Sequence, residues 1–359
     1  MPTTAKKHLH IVSFDVPWPA NYGGVIDVFY KLKALASKGI LIHLHVFEYG
    51  REHAKELQKY CKSVKYYQRD LSKKNLFTNL PYIVSSRNSQ ELTETLLKDQ
   101  YPILLEGLHT CLLMNDLRFK GRNIIVRMHN IEHEYYQHLA HAETDIFKKY
   151  YYHNEAKKLK RFESILQRAS HIVAISKKDE VYFAKKYENI TFIPAFHAHK
   201  EVEAIAGRGD YVLYHGNLSV AENKSAVKFL VEEVFNDLNI PLIVTGLNPS
   251  PSVINQIEGH ANISLIPNPS DEELFQLINN AHINISYTFQ ATGLKLKLLN
   301  TLYNGRFCIL DNDAKSMKQQ VKKIFKRSFS QKEIERRKKK LDLLYHNGQN
   351  VDRLINLIG

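Results

Sequence analysis

Apolar residues in this chain fall into short runs, separated by stretches in which they recur every third or fourth position. The runs at 10–14, 41–47, 64–67, 103–105, 123–127, 171–174 and 191–193 read as strands, with helical spacing in most of the intervals. A polar break containing two glycines follows, centred on 197–210. The rhythm then restarts with strands at 211–214, 242–244, 263–266, 283–286 and 307–310. Strand and helix alternating in this way specify parallel sheets with helices wound on both faces, once on each side of the break. The expected fold class is α/β, with two doubly wound, Rossmann-like parallel-sheet domains facing a cleft. They span 1–197 and 198–330, and 331–359 forms a closing helical segment interrupted at Asn347 and Gly348.

Ligands of such sheets bind beyond the carboxyl ends of the strands, so the residues just after each strand are the candidates. After the first strand, Gly23 and Gly24 let backbone approach a ligand at a helix start. His129 and Asn130 follow the strand at 123–127. Gly216 and Asn217 follow the first strand of the second domain, and Gly246 ends the next, which keeps room for a bulky ligand. The stretch from Tyr287 to Gly305 is the most informative. Its polar turn, with Thr292 and Gly293, opens an amphipathic helix carrying Lys295 and Lys297. Free N–H groups, a helix dipole and two ammonium groups there suit a nucleotide diphosphate.

Other chemistries find less support. The dinucleotide fingerprint is absent, so no nicotinamide or flavin is expected. The spacing of His129 and His133 could suit a metal on a helix but no H-E-x-x-H occurs, and His43 and His45 share a strand face without an obvious third ligand. Asp311 and Asp313 fit a metal-holding D-x-D pattern, but a turn after the last strand is the simpler reading. No metal and no other cofactor is expected.

At 359 residues with 44% hydrophobic content the chain suits two folded domains. No apolar run approaches the ~18 residues of a bilayer span, and the start of the chain does not resemble a signal peptide. Cys61, Cys111 and Cys308 show no disulfide or metal spacing, which favours a reducing, cytoplasmic setting. The formal net charge of +13 changes the picture most, because it implies an anionic partner. Twelve basic residues stand between Lys315 and Lys340 against Glu333 and Glu335. A second basic cluster, 148–161, is interleaved with Phe147, Tyr150, Tyr151 and Tyr152. Such a helix suits an anionic membrane surface; a solvated helix with core tyrosines fits equally. No recognition helix or single-strand platform supports a nucleic-acid partner.

Several segments together resemble a known family. They are the loop from Pro19 to Gly24, His129-Asn130, the strand end Val173 to Ser176, Ile193-Pro194, Gly216-x-Leu218, Pro269 to Leu274, and Gly293 through Lys297 and Asn300 to Gly305. In this order they resemble the two-domain GT-B glycosyltransferases of the retaining family 4 type, close to bacterial cell-surface polysaccharide enzymes. The resemblance covers most of the chain. It implies transfer of a sugar from a nucleotide-diphosphate sugar to a glycan or lipid-linked acceptor, with retention and without metal. It puts Thr292 and Gly293 on the diphosphate, with Gly23 and Gly24 against it from the other domain. Gly216, Asn217 and Asn223 would border the phosphates, Asn300 would hold the ribose, and His129 would contact the donor sugar. It further implies a terminal helix that crosses back to the N-terminal domain and brings both basic segments onto one membrane-facing surface.

The sequence departs from that pattern. Two glutamates of the family, eight residues apart, are Thr292 and Asn300 here, and an Arg and a Lys are Asn217 and Asn223. Lys224, Lys295 and Lys297 can replace the missing phosphate charge. The alternatives are a catalytically degenerate nucleotide-sugar-binding protein, a sugar-nucleotide epimerase of the same architecture, and a basic nucleic-acid-binding protein.

Overall fold

The computed structural model describes residues 6–143, 145–287 and 296–359. They divide into two compact units, one of residues 6–198 and 345–359, the other of residues 199–287 and 296–344.

The first unit is built on β1 (His8–Ser13), β2 (Leu41–Glu48), β3 (Ser63–Gln68), β4 (Ile103–Glu106), β5 (Ile124–Met128), β6 (His171–Ala174) and β7 (Ile190–Phe192). These form one sheet, wholly parallel, in the order β3-β2-β1-β4-β5-β6-β7. Its helices are α1 (Gly23–Ser37), α2 (Tyr82–Ser85), α3 (Gln90–Leu96), α4 (Glu132–Ala142), α5 (Ile146–Phe162) and α6 (Lys177–Ala184). Central strands are buried on both faces, which is why they read as nearly continuous apolar runs. On one face Ile11, Leu44, Leu104 and Ile125 pack with Val28, Leu32 and Leu35 of α1. On the other, Val12, Leu105 and Val126 pack with Leu96, Leu159 and Phe183 of α3, α5 and α6.

The second unit repeats the scheme with β8 (Val212–His215), β9 (Leu242–Gly246), β10 (Ile263–Pro267), β11 (Ile283–Ile285) and β12 (Phe307–Ile309). All pairs are again parallel, in the order β10-β9-β8-β11-β12. Its helices are α7 (Ala221–Phe229), α8 (Pro251–Ile257), α9 (Asp271–Asn280), α10 (Leu296–Asn304), α11 (Ala314–Phe325) and α12 (Gln331–Tyr345). The Pro269–Leu274 segment is the start of α9, where Ser270 and Glu273 form a reciprocal capping box. Asp313 caps α11 by accepting from Ser316 N at 2.7 Å, and Asp311 accepts from Asp313 N at 3.0 Å, so this acidic pair forms the helix entrance.

The last helix, α13 (Asn347–Ile358), belongs to the first unit. Val351, Leu354 and Ile358 join its core, and Asn123 Nδ2 donates to the Leu357 and Ile358 carbonyls at 3.0 and 3.1 Å. The sequence reading joins 331–344 to this terminal segment. In the structure α12 groups with the second unit and the chain passes to the first at Tyr345. The break falls at His346, whose ring caps α13, one residue before the predicted Asn347-Gly348 interruption. In each sheet the strand order reverses beside the first strand, between β1 and β4 and between β8 and β11, and ligands of this class collect outside such points.

Candidate functional site

In the first unit the carboxyl ends of β1, β4 and β5 gather a chain of buried charges. Arg127 of β5 forks onto Asp27 of α1, Nη2 to Oδ1 at 2.8 Å and Nε to Oδ2 at 3.1 Å, and its remaining N–H groups donate to the Ile193 and Pro194 carbonyls. Asp27 also meets Lys31 Nζ at 2.9 Å, one helical turn on. Lys31 Nζ lies 2.8 Å from Glu106 Oε1, at the end of β4, and the His129 ring donates from Nε2 to Glu106 Oε2 at 3.0 Å. All five side chains are buried. Burial alone would raise the Asp27 and Glu106 pKa values, but the adjacent cations overcome it, Arg127 and Lys31 at Asp27 and Lys31 at Glu106, so both lie below their ordinary values. Asp27, Glu106 and His129 have the donor set and spacing of a metal site. The Lys31 ammonium already stands between the two carboxylates and supplies the positive charge there.

His129 is thus a half-committed imidazole: Nε2 is spent on Glu106 and Nδ1 remains. Its edge meets the Phe14 ring at 5.3 Å. Asn130 precedes α4 by two residues and stands near the buried Glu132, whose pKa burial pushes up to about 8. Gly23 and Gly24 form the first turn of α1, whose N-cap, Tyr22, supplies no side-chain bond. A Cβ on Gly24 would reach Phe14 Cζ at 2.6 Å, so this glycine is required by helix–ring packing whatever else it does.

In the second unit Gly216 follows β8 and Gly246 ends β9, back to back. A Cβ on Gly246 would lie 1.6 Å from Gly216 O. Asn217 closes its own turn, its Oδ1 accepting from Ser219 N at 3.0 Å and Oγ at 2.7 Å. Asn223 clamps that turn to the strand, accepting from Tyr214 OH at 3.0 Å and donating to Asn217 O at 2.8 Å. Both side chains are used by the turn in this structure.

Lys297, in the first turn of α10, donates to Tyr287 O at 3.1 Å and stands 5.2 Å from the centre of the Tyr214 ring. Beside it, buried His215 has no partner for Nε2 among the described residues, and burial first, then Lys297, pushes its pKa down to about 4. Asn300 accepts from His199 Nε2 at 2.8 Å, and His199 stacks on Tyr303 at 4.8 Å. With Oδ1 taken, Asn300 has its amide N–H₂ left to offer, a donor where a glutamate would accept. Thr292, Gly293 and Lys295 lie outside the described residues.

Sequence reasoning missed Asp27, Lys31, Glu106, Arg127, His199 and His215. A signal existed for the first four: opposite charges four apart on the apolar face of α1, and single charges inside otherwise apolar strands. None distinguished the two histidines of the second unit.

No family model matches the chain. An uncharacterized 44.6 kDa protein in the cps region of Klebsiella pneumoniae is 29% identical over 322 residues, 83% of this chain and 81% of that protein. Among solved structures, TarM superposes with a TM-score of 0.66 at 10% identity, over 100% of this chain and 99% of TarM. A glycosyltransferase from Rickettsia africae gives 0.64 at 14% identity, over 99% and 98%. HepE of Anabaena, in complex with UDP and glucose, gives 0.63 at 8% identity, over 97% and 99%. With its two parallel-sheet units, the chain has the GT-B glycosyltransferase fold.

Proposed function

We propose that this protein is a glycosyltransferase that moves a sugar from a nucleotide-diphosphate donor to a glycan or lipid-linked acceptor in cell-envelope polysaccharide synthesis. Transfer proceeds with retention and without a metal, in the cytoplasm at the inner face of the membrane. The observation that carries this reading is the cluster at the first turn of α10. Lys297 is locked between a backbone carbonyl and a tyrosine face, beside the unpartnered His215 Nε2 and the two abutting glycines. A fixed ammonium, an imidazole nitrogen and a helix start suit a diphosphate. The family resemblance assigns Thr292 and Gly293 to the diphosphate as well, and Lys295 is assigned there by its charge; Gly216 and Gly246 border the seat, and the Asn300 amide donates to a ribose oxygen. In the first unit, the His129 Nδ1 left free by the Glu106 bond is assigned to a sugar hydroxyl. The bond from the anomeric carbon to the diphosphate breaks and a bond to the acceptor oxygen forms on the same face. The acceptor's proton passes to a phosphate oxygen. The UDP complex of HepE and the cps-region location of the Klebsiella relative support the donor and product classes.

Incubation with a panel of nucleotide sugars and cell-envelope lipid extract in EDTA tests this. Label transferred to the extract, with the donor's anomeric configuration by NMR, is expected. Sugar interconversion without acceptor would mark an epimerase, and donor binding without turnover a degenerate enzyme; either contradicts the reading.

A further inference from the structure

Five Lys or Arg side chains of the first unit are buried, and four have a carboxylate partner. Lys31 and Arg127 share Asp27, Arg122 pairs with Asp99 at 3.0 Å, and Lys158 pairs with Glu155 at 3.0 Å. Arg87 is the exception. It is 7% exposed and makes no ion pair among the described residues. Its Nε and Nη1 donate to the neutral carbonyls of Phe14 and Ile83, at 3.0 and 2.7 Å.

Its surroundings increase the imbalance. Arg69 reaches the residue next to it, with Nε on Ser86 Oγ at 2.8 Å, and the Tyr49 and Tyr82 rings lie against the guanidinium at 4.4 and 5.4 Å. Those contacts use Nε and the guanidinium faces, not the two amino groups of Arg69. Asp15 and Glu132 act on Arg87 through space without ion-pair contact; Asp15 Oδ1 accepts from Val16 N at 2.8 Å and Oδ2 from Tyr22 OH at 2.6 Å, and burial raises the Glu132 pKa to about 8. Burial, then Arg69, pulls the Arg87 guanidinium down to about 9. The His109 ring beside them is lowered by burial and by both arginines, and its Nδ1 is unpartnered.

Two guanidinium groups, one of them buried with no carboxylate in ion-pair contact, form a site with room for an anion. Two positive charges with forked donors match a phosphate dianion in charge and in number of acceptor oxygens. The location fits a substrate. Arg87 is anchored on Phe14 at the carboxyl end of β1, and the Phe14 ring touches both His109 and His129, at 5.2 and 5.3 Å. Given the transferase reading, on which this inference rests, we propose that Arg69 and Arg87 seat a phosphate group carried by the acceptor. Lipid phosphates and soluble sugar or polyol phosphates share that chemistry.

Calorimetric titration of the full chain, with UDP saturating the donor site, tests the proposal. Inorganic phosphate should bind the parent, and Arg69→Gln should weaken it about tenfold or more, as loss of a charge-assisted bond implies. Arg87→Lys, which keeps the charge but loses the fork, should weaken it as well. UDP affinity should be the same in parent and variants. Farnesyl phosphate in micelles, glycerol 3-phosphate and farnesol then separate the sources: the tighter phosphate identifies a lipid or a soluble acceptor, and farnesol should not compete. Equal phosphate affinity in parent and Arg69→Gln, or farnesol binding as well as its phosphate, overturns the inference while leaving the donor reading standing. Absence of binding by each of UDP, GDP and dTDP, with Arg69-dependent phosphate binding intact, would instead count against the donor reading.

Discussion

A Cβ on Gly246 would stand 1.6 Å from Gly216 O and 3.2 Å from the Leu218 side chain. Neither neighbour can yield cheaply, because the Gly216 N–H is bonded to Thr245 O at 3.1 Å and Leu218 is buried. Gly246→Ala should therefore destabilise the protein by about 3 kcal/mol, the upper range for overpacking, as a lower midpoint in urea denaturation. A midpoint equal to the parent's would mean that the β8 and β9 ends are farther apart than described. In the other unit, Lys31 is the sole bridge between Asp27 and Glu106. Lys31→Met leaves the Glu106 carboxylate buried without its cation and should cost about 3–5 kcal/mol. It should also release His129, which thermal melting and a histidine proton spectrum would register together. An unshifted melt would show that the cluster is not held by charge.

At the scale of elements, β1 and β2 carry a ladder of histidines on one face. His10 Nδ1 meets His45 Nε2 at 2.9 Å and His8 Nδ1 meets His43 Nε2 at 2.9 Å; Asp99 at 3.0 Å, Tyr67 OH at 2.9 Å and Ser63 Oγ at 3.0 Å bind the remaining nitrogens of His10, His45 and His43. The rings are joined to one another, so each pair of histidines spends a nitrogen on its neighbour. Burial holds His45 down to about 3 and lowers His10 and His43, whereas an unfolded histidine titrates near ~6.5. Below ~6.5 the unfolded chain therefore takes up protons that the native His45 refuses. Its contribution is complete above that pH and is lost as the pH falls toward 3, by about 1.4 kcal/mol per unit. Urea denaturation between pH 6.5 and 4.5 should show this slope, and His45→Gln should flatten it. An identical slope in the variant would place the acid sensitivity elsewhere.

The same strands explain what could be read in advance. All twelve described strands were legible: the central ones because parallel strands buried on both faces become apolar runs, the half-buried edge strands β3, β7 and β10 because polar or Gly breaks bound them. The site was legible only where glycine and loop position announced it. Asn217 and Asn223 looked like ligand groups and are occupied by local hydrogen bonds. Each charge of the Asp27–Lys31–Glu106–His129 cluster left its own mark in the sequence, but their meeting was hidden because they come from elements far apart along the chain. The grouping of α12 with the second unit was equally hidden, since its lysines and those of α11 form one unbroken basic stretch.

For the whole molecule, the charge of +13 remains the largest property that the folded core does not consume. No described helix is long and apolar enough to cross a membrane. At the start of α5, however, Ile146, Phe147 and Tyr150 are 80%, 87% and 75% exposed, beside Lys148 and Lys149. Apolar side chains held out among lysines suit the headgroup layer of an anionic bilayer. Co-sedimentation with phosphatidylglycerol vesicles should weaken with salt and fall about tenfold or more in a Phe147→Ser, Ile146→Ser variant. Salt-insensitive partitioning, unchanged in that variant, would leave the charge as a solubilising coat. The donor seat carries the account as a whole. Its most direct test is calorimetric titration with UDP, GDP and dTDP in EDTA, comparing the parent with Lys297→Ala. The account predicts that at least one diphosphate binds the parent without metal, and that the variant binds it about tenfold or more weakly. No binding, binding only with added magnesium or manganese, or equal affinity in the two proteins would contradict it.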